Sequence, residues 1–198
     1  MMRPRSRNFV IALAAIIWVA TVLISYRSVR AFESTPGAPA DARASWPSNA
    51  GVERNPSGPT LVMLAHPQCS CSRASVAELA EIIDRGPRDL QTVVFVFRPR
   101  DFQAGWERTS VWNAAAKLPN TRVVVDIDGA AARRFGAITS GQTFLYDRAG
   151  VLRFSGGITS ARGHRGENSG RDSVIRIANR SAGFSTHSVF GCAIGGKS

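Results

Sequence analysis

Cys69 and Cys71 bracket a single serine in the stretch His66-Pro67-Gln68-Cys69-Ser70-Cys71. Just beyond them Val76, Leu79, Ala80 and Ile83 recur at helical spacing, and Glu78, Glu81 and Asp84 are expected to face water. That pattern predicts a helix over residues 72–84, stopped by Gly86-Pro87. Cys69 then stands at the amino end of the helix, where free amides and the positive end of the dipole favour a thiolate. Cysteines in such places titrate anywhere from about 3.5 to 7.5, against about 8.5 when unperturbed. A thiolate attacks disulfides and binds soft metals.

Two chemistries follow. In the first, Cys69 is the nucleophile of a thiol–disulfide oxidoreductase or peroxide-type reductase. Cys71 or Cys192 resolves the mixed disulfide or sulfenate, and Ser72 caps the helix and donates to the thiolate. No cofactor is needed. In the second, Cys69, Cys71 and His66 hold copper(I) or zinc without turnover. A third reading keeps the fold as an adaptor with no chemistry. On a regular helix positions i and i+2 point about 200° apart, so a Cys69–Cys71 bridge requires a non-helical turn at Cys69-Ser70. Such a bridge would be strained and readily reduced. Pro67 stiffens the turn, and Cys192 either folds back to the thiols or dangles in the tail. His187 reads as surface decoration, and Asp126 and Asp128 as structural acids at a strand end.

The elements that would carry these residues are legible as runs. Residues 60–65 (TLVMLA) and 92–97 (TVVFVF) are continuous apolar stretches, the mark of strands covered on both faces. A helix is expected over 106–118, a strand over 122–127 and a short helix over 130–135. Strands over 143–146 and 151–154 flank the turn Asp147-Arg148-Ala149-Gly150, and a last helix covers 173–180. The order β-α-β-α-β-α-β-β-α implies an α/β fold with a mixed central sheet and helices on both faces.

The chain opens with residues 1–8, a basic cytoplasmic amino terminus carrying Arg3, Arg5 and Arg7. Residues 9–26 (FVIALAAIIWVATVLISY) follow without a charge. At ~1.5 Å per residue they cover ~27 Å, enough for a bilayer core, and the preceding arginines favour an inward amino terminus. An anchor or a signal segment both fit, and either exports the rest of the chain. The expected location is the inner membrane, single-pass, with the domain on the periplasmic side. Residues 27–58 are rich in Pro, Ala, Ser and Gly and read as a flexible linker, with Trp46 the one side chain expected to dock. Residues 59–182 form the domain and 183–198 a tail containing Cys192. Three cysteines are too few for a disulfide scaffold. Part of the net charge of +11 comes from five arginines in the first thirty residues. The remaining excess is scattered without runs or interleaved aromatics, which argues against nucleic-acid binding.

Three stretches carry a resemblance: TLVMLAHPQCSCSRASVAEL, VVVDIDGAAARRFGAITSGQTFLYD and AGVLRFSGGIT. Together they resemble the thioredoxin superfamily over about residues 60–159. The likeness is to its membrane-tethered bacterial branch, the TlpA/ResA and peroxiredoxin-like group; HPQCSC, SGQTFLYD and the final FGC are also similar to RedB-type thioredoxin-like proteins. The resemblance implies a thiol/disulfide protein or a small peroxide as partner. It aligns Cys69 with the first cysteine of Cys-x-x-Cys, Ser72 with the second, and Gly141, next to Gln142, with the family's cis-proline. It also implies that the glycine-rich loop 156–170, with Arg162, His164 and Arg165, borders the redox turn.

Overall fold

The computed structural model describes residues 4–180 and 183–195. The chain divides into two units, residues 1–35 and 36–198. The first is helix α1 (Pro4–Ser34), whose segment Asn8–Ser34 contains an 18-residue window of mean hydropathy 2.5 and is long enough to cross a membrane. The helix runs past the expected apolar stretch at both ends.

The second unit is built on strands β1 (Thr60–Ala65), β2 (Gln91–Arg98), β3 (Thr121–Ile127), β4 (Thr143–Tyr146), β5 (Leu152–Gly156) and β6 (Ser185–Thr186). They form one sheet in the order β3-β2-β1-β4-β5-β6. The first three run parallel, whereas β4 is antiparallel to both β1 and β5. Parallel neighbours need crossovers, and these are α2 (Ser70–Arg85) and α3 (Ser110–Ala115). Helices α4 (Ala130–Phe135) and α5 (Ser169–Arg180) complete the set. Period-two alternation divides each central strand between two cores. Leu61, Met63 and Ala65, with Val94 and Val96, meet Val76, Leu79 and Ile82 of α2 and Val174 and Ile177 of α5. Val62, Leu64, Val93 and Phe95 meet Ala131, Ala132 and Phe135 of α4 on the other face. Burial on both faces explains why β1 and β2 read as unbroken apolar runs.

Several expectations are corrected. From Pro36 onward the supposed linker packs as a strap along the α4 face. Trp46 sets its ring edge-on to Phe135 and Tyr146, each at 5.3 Å, and Ala50 is buried. The strap is also pinned by its backbone, Asp41 N–H to Gly136 O and Trp46 N–H to Gly150 O. Gly136, in the left-handed region, is obligatory there, because a Cβ would sit 1.7 Å from Asp41 O. Helix α3 is shorter than its periodicity suggests. Thr109 caps it, and the residues before it form a loop around buried Glu107, which accepts from Gly105 N–H and pairs with Arg98 at 3.3 Å.

Glu78 does not face water. It is buried and accepts from Gly166 N–H, Asn168 and Arg171, tying α2 to α5 and to the glycine-rich loop. The tail is packed as well: β6 pairs with β5 and Val189 is buried. His187 is accordingly no surface ornament. Its ring stacks on Phe154 and bonds the hydroxyls of Ser169, Ser173 and Ser185. Asp126 has the structural role expected of it, since its carboxylate caps α4 at the Ala131 and Ala132 N–H groups.

Candidate active site

Strand β1 ends at Ala65, and the chain turns through His66-Pro67-Gln68 into α2, with Cys69 at the N-cap. Cys69 has extended backbone angles (φ −89°, ψ 126°), so its side chain leaves the helix start instead of continuing its spiral. The turn is braced from three sides. Cys69 N–H donates to His66 O, His66 N–H donates to Ser72 Oγ, and Thr109 Oγ1 donates to Pro67 O at 2.6 Å.

The Cys69 sulfur is buried and surrounded by donors. Cys71, Ser140 and Cys192 approach it with their side chains and Ser72 with its backbone N–H. Ser140 Oγ and Cys192 Sγ both stand 3.6 Å from Cys69 Sγ. These donors, Cys71 first among them, outweigh burial and bring the Cys69 thiol down to about 4. Cys71 moves the opposite way, because donating to Cys69 requires that it keep its proton, and burial adds to this. Its own sulfur accepts from Gly163 N–H in the glycine-rich loop. Burial, then the neighbouring Cys69 charge, raise the Cys192 thiol, while Arg162 opposes them. The directions of these shifts favour a thiolate on Cys69 and protons on Cys71 and Cys192.

Cys69, Cys71 and Cys192 are thus brought together. Ser72 contributes through its backbone N–H, whereas its hydroxyl is occupied by His66 N–H. His66 is set by aromatic packing, its ring 5.6 Å from Phe97 and 5.9 Å from Trp106, with Nδ1 accepting from Gln68 N–H. Burial lowers its pKa, so the ring is neutral at pH 7. Among the described residues, no three Cys, His, Asp or Glu side chains stand where one ion could be held. His164 follows Gly163 on the glycine-rich loop, with its N–H bonded to Ala161 O.

The position aligned with the cis-proline is held by Gly141. Among the described residues every peptide bond is trans, and Gly141 bonds β1 through its N–H to Leu64 O. At φ +85° a Cβ on Gly141 would lie 2.9 Å from Ser75 Oγ, so the residue packs closely on α2. Gln142 points toward Ser155. The hydroxyl that reaches the thiolate belongs to Ser140, one residue earlier, which sequence reasoning missed. The one pointer to it was its neighbour Gly141, which the resemblance aligns with the family's cis-proline.

No protein-family model matches the chain, and no curated protein matches it. Solved structures do. A hypothetical protein from Sinorhizobium meliloti 1021 is 19% identical with TM-score 0.57, over 81% of this chain and 94% of that one. An uncharacterized conserved protein from Geobacillus kaustophilus is 16% identical with TM-score 0.57, over 83% and 93%. A thioredoxin-like protein solved in its oxidized form is 18% identical with TM-score 0.44, over 75% and 93%. The chain shares its mixed α/β architecture with the first two of these. Likeness at these identities speaks to architecture alone, and the chemistry of the domain must be argued from its own sulfurs.

Proposed function

We propose that this chain is a thiol–disulfide oxidoreductase or peroxide-type reductase with Cys69 as its nucleophile. One observation carries the reading: a buried sulfur at a helix N-cap, held as thiolate by three side-chain donors and a backbone N–H. Packing needs no such convergence, whereas nucleophilic attack does. The thiolate attacks one sulfur of a substrate disulfide; a new S–S bond forms to Cys69, the old one breaks, and the departing sulfur takes the electron pair and a proton. With a peroxide, attack on oxygen leaves a Cys69 sulfenate and releases an alcohol or water. A neighbouring thiol then displaces the product from Cys69. The aromatic rim of His66, Trp106 and half-exposed Phe102 beside the turn favours a peptide-like disulfide over a small peroxide.

We place the domain on the outer side of a cytoplasmic membrane, tethered by α1. The support is the apolar span Asn8–Ser34 and the arginines before it. The test is a stopped-flow comparison of the reduced full chain in detergent with a peptide disulfide and with hydrogen peroxide. Loss of one Cys69 thiol per disulfide consumed is expected; a Cys69 that reacts with neither substrate faster than free cysteine would end the proposal.

A further inference from the structure

Cys192 is 123 residues from Cys69 in the chain, yet its sulfur lies 3.6 Å from the thiolate. That placement is built rather than incidental. The tail lies antiparallel to the loop before β4: Ser140 N–H donates to Cys192 O, Ile194 N–H donates to Ile138 O, and Thr139 pairs with Ala193. Ser140 Oγ accepts from Cys192 N–H at 3.1 Å, so one side chain holds both the tail and the thiolate. Two glycines permit the close approach. A Cβ on Gly191 would fall 1.9 Å from Ser140 O, and one on Gly157 would fall 2.7 Å from Ser188 O. Gly37 N–H and the Arg162 guanidinium fasten the same segment, at Val189 O and Gly191 O.

We propose that Cys192, rather than Cys71, is the thiol that resolves the reaction at Cys69, so that the oxidised site is a Cys69–Cys192 disulfide. This rests on the reading of Cys69 as nucleophile. Cys71 is poorly placed for the task. Its backbone belongs to the first turn of α2 and Cys69 stands two residues before it in extended backbone, so a bridge between them would be of the tight, readily reduced kind. Its sulfur is held by Gly163 N–H, and its part is to donate to the thiolate. Cys192 is exposed, and its sulfur has to close only from 3.6 Å to a disulfide bond of about 2.0 Å. In the mixed disulfide between Cys69 and substrate, Cys192 loses its proton to solvent and attacks the Cys69 sulfur. The Cys69–Cys192 bond forms, the bond to substrate breaks, and the substrate sulfur leaves with the electron pair and is protonated. Two electrons have then passed from two protein thiols to one substrate disulfide, and an external dithiol returns the site to its reduced form.

The experiment uses the reduced full chain in detergent with one equivalent of oxidised glutathione, followed by acid quench, alkylation and peptide mapping. The expected product is Cys69 joined to Cys192 with Cys71 alkylated. Cys192→Ser should hold the glutathione adduct on Cys69 at least about tenfold longer, while Cys71→Ser should still yield Cys69–Cys192. Gly191→Ala, which pushes the tail from Ser140, should slow the second step and spare adduct formation. A Cys69–Cys71 bridge in the wild type, or an adduct that Cys192→Ser releases at the wild-type rate, would overturn the assignment and leave the oxidoreductase reading standing. No adduct on Cys69 at all would overturn both.

Discussion

Removing one donor from the thiolate should move its titration by a calculable amount. Ser140 is fully buried and directs its hydroxyl at Cys69 Sγ from 3.6 Å. Hydrogen bonds to charged groups contribute about 1.5–3 kcal/mol, and a long contact to sulfur belongs at or just below the low end. About 1.4 kcal/mol corresponds to one pH unit. Because the donor favours the ionised form, Ser140→Ala should raise the Cys69 midpoint from about 4 by about one unit. The same shift acts on stability. A thiol depressed in the folded state from 9.0 contributes stability that is fully present above 9.0 and lost as pH falls through about 4. In the variant that loss should be complete at a higher pH. The assay is the pH dependence of iodoacetamide alkylation, read peptide by peptide so that the three cysteines are scored separately. Since Ser140 also accepts from Cys192 N–H, the Cys192 alkylation rate reports any loosening of the tail. A Cys69 midpoint that stays in place, or falls, would refute the view that the hydroxyl holds the thiolate.

Cys69→Ser should abolish disulfide turnover and leave the circular dichroism spectrum intact; retained turnover would move the nucleophile elsewhere. Glu78→Ala takes the buried acceptor from Gly166 N–H, Asn168 and Arg171, which keeps Asp172, and should cost about 3 kcal/mol, seen as a fall of about 6–12 °C in the thermal midpoint. An unchanged midpoint would mean that the buried pair contributes nothing net. Trp46→Ala removes the ring seated on Phe135 and Tyr146, and should cost about 3 kcal/mol in urea unfolding. A loss below about 0.5 kcal/mol would show the strap to be energetically idle.

Where pattern is local, the sequence was a sufficient guide. β1, α4 and β4 begin and end where their apolar runs do, because each is short, bounded by turn residues and buried on the expected faces. What escaped depends on partners distant in the chain. The strap has the composition of a linker, and only Phe135 and Tyr146, about a hundred residues on, give Trp46 something to bury against. Glu78 occupies a helix position suited to solvent until Arg171 arrives 93 residues later. The cysteine turn was legible from residue type and helical spacing. Ser140 and the location of Cys192 were not, since the tail docks through backbone hydrogen bonds and glycine clearances that leave no periodicity.

The tail that brings Cys192 to Cys69 also imposes an order of events. A chain synthesised from its amino terminus acquires Cys69 and Cys71 well before residue 192 is added. Until then Ser140 lacks the Cys192 N–H it accepts, and the nascent thiolate lacks its third side-chain donor. Strands β1 to β5 can all be in place while the sulfur cluster is still unfinished. Full acidity of Cys69 therefore waits for the closing segment, in whatever order the sheet forms.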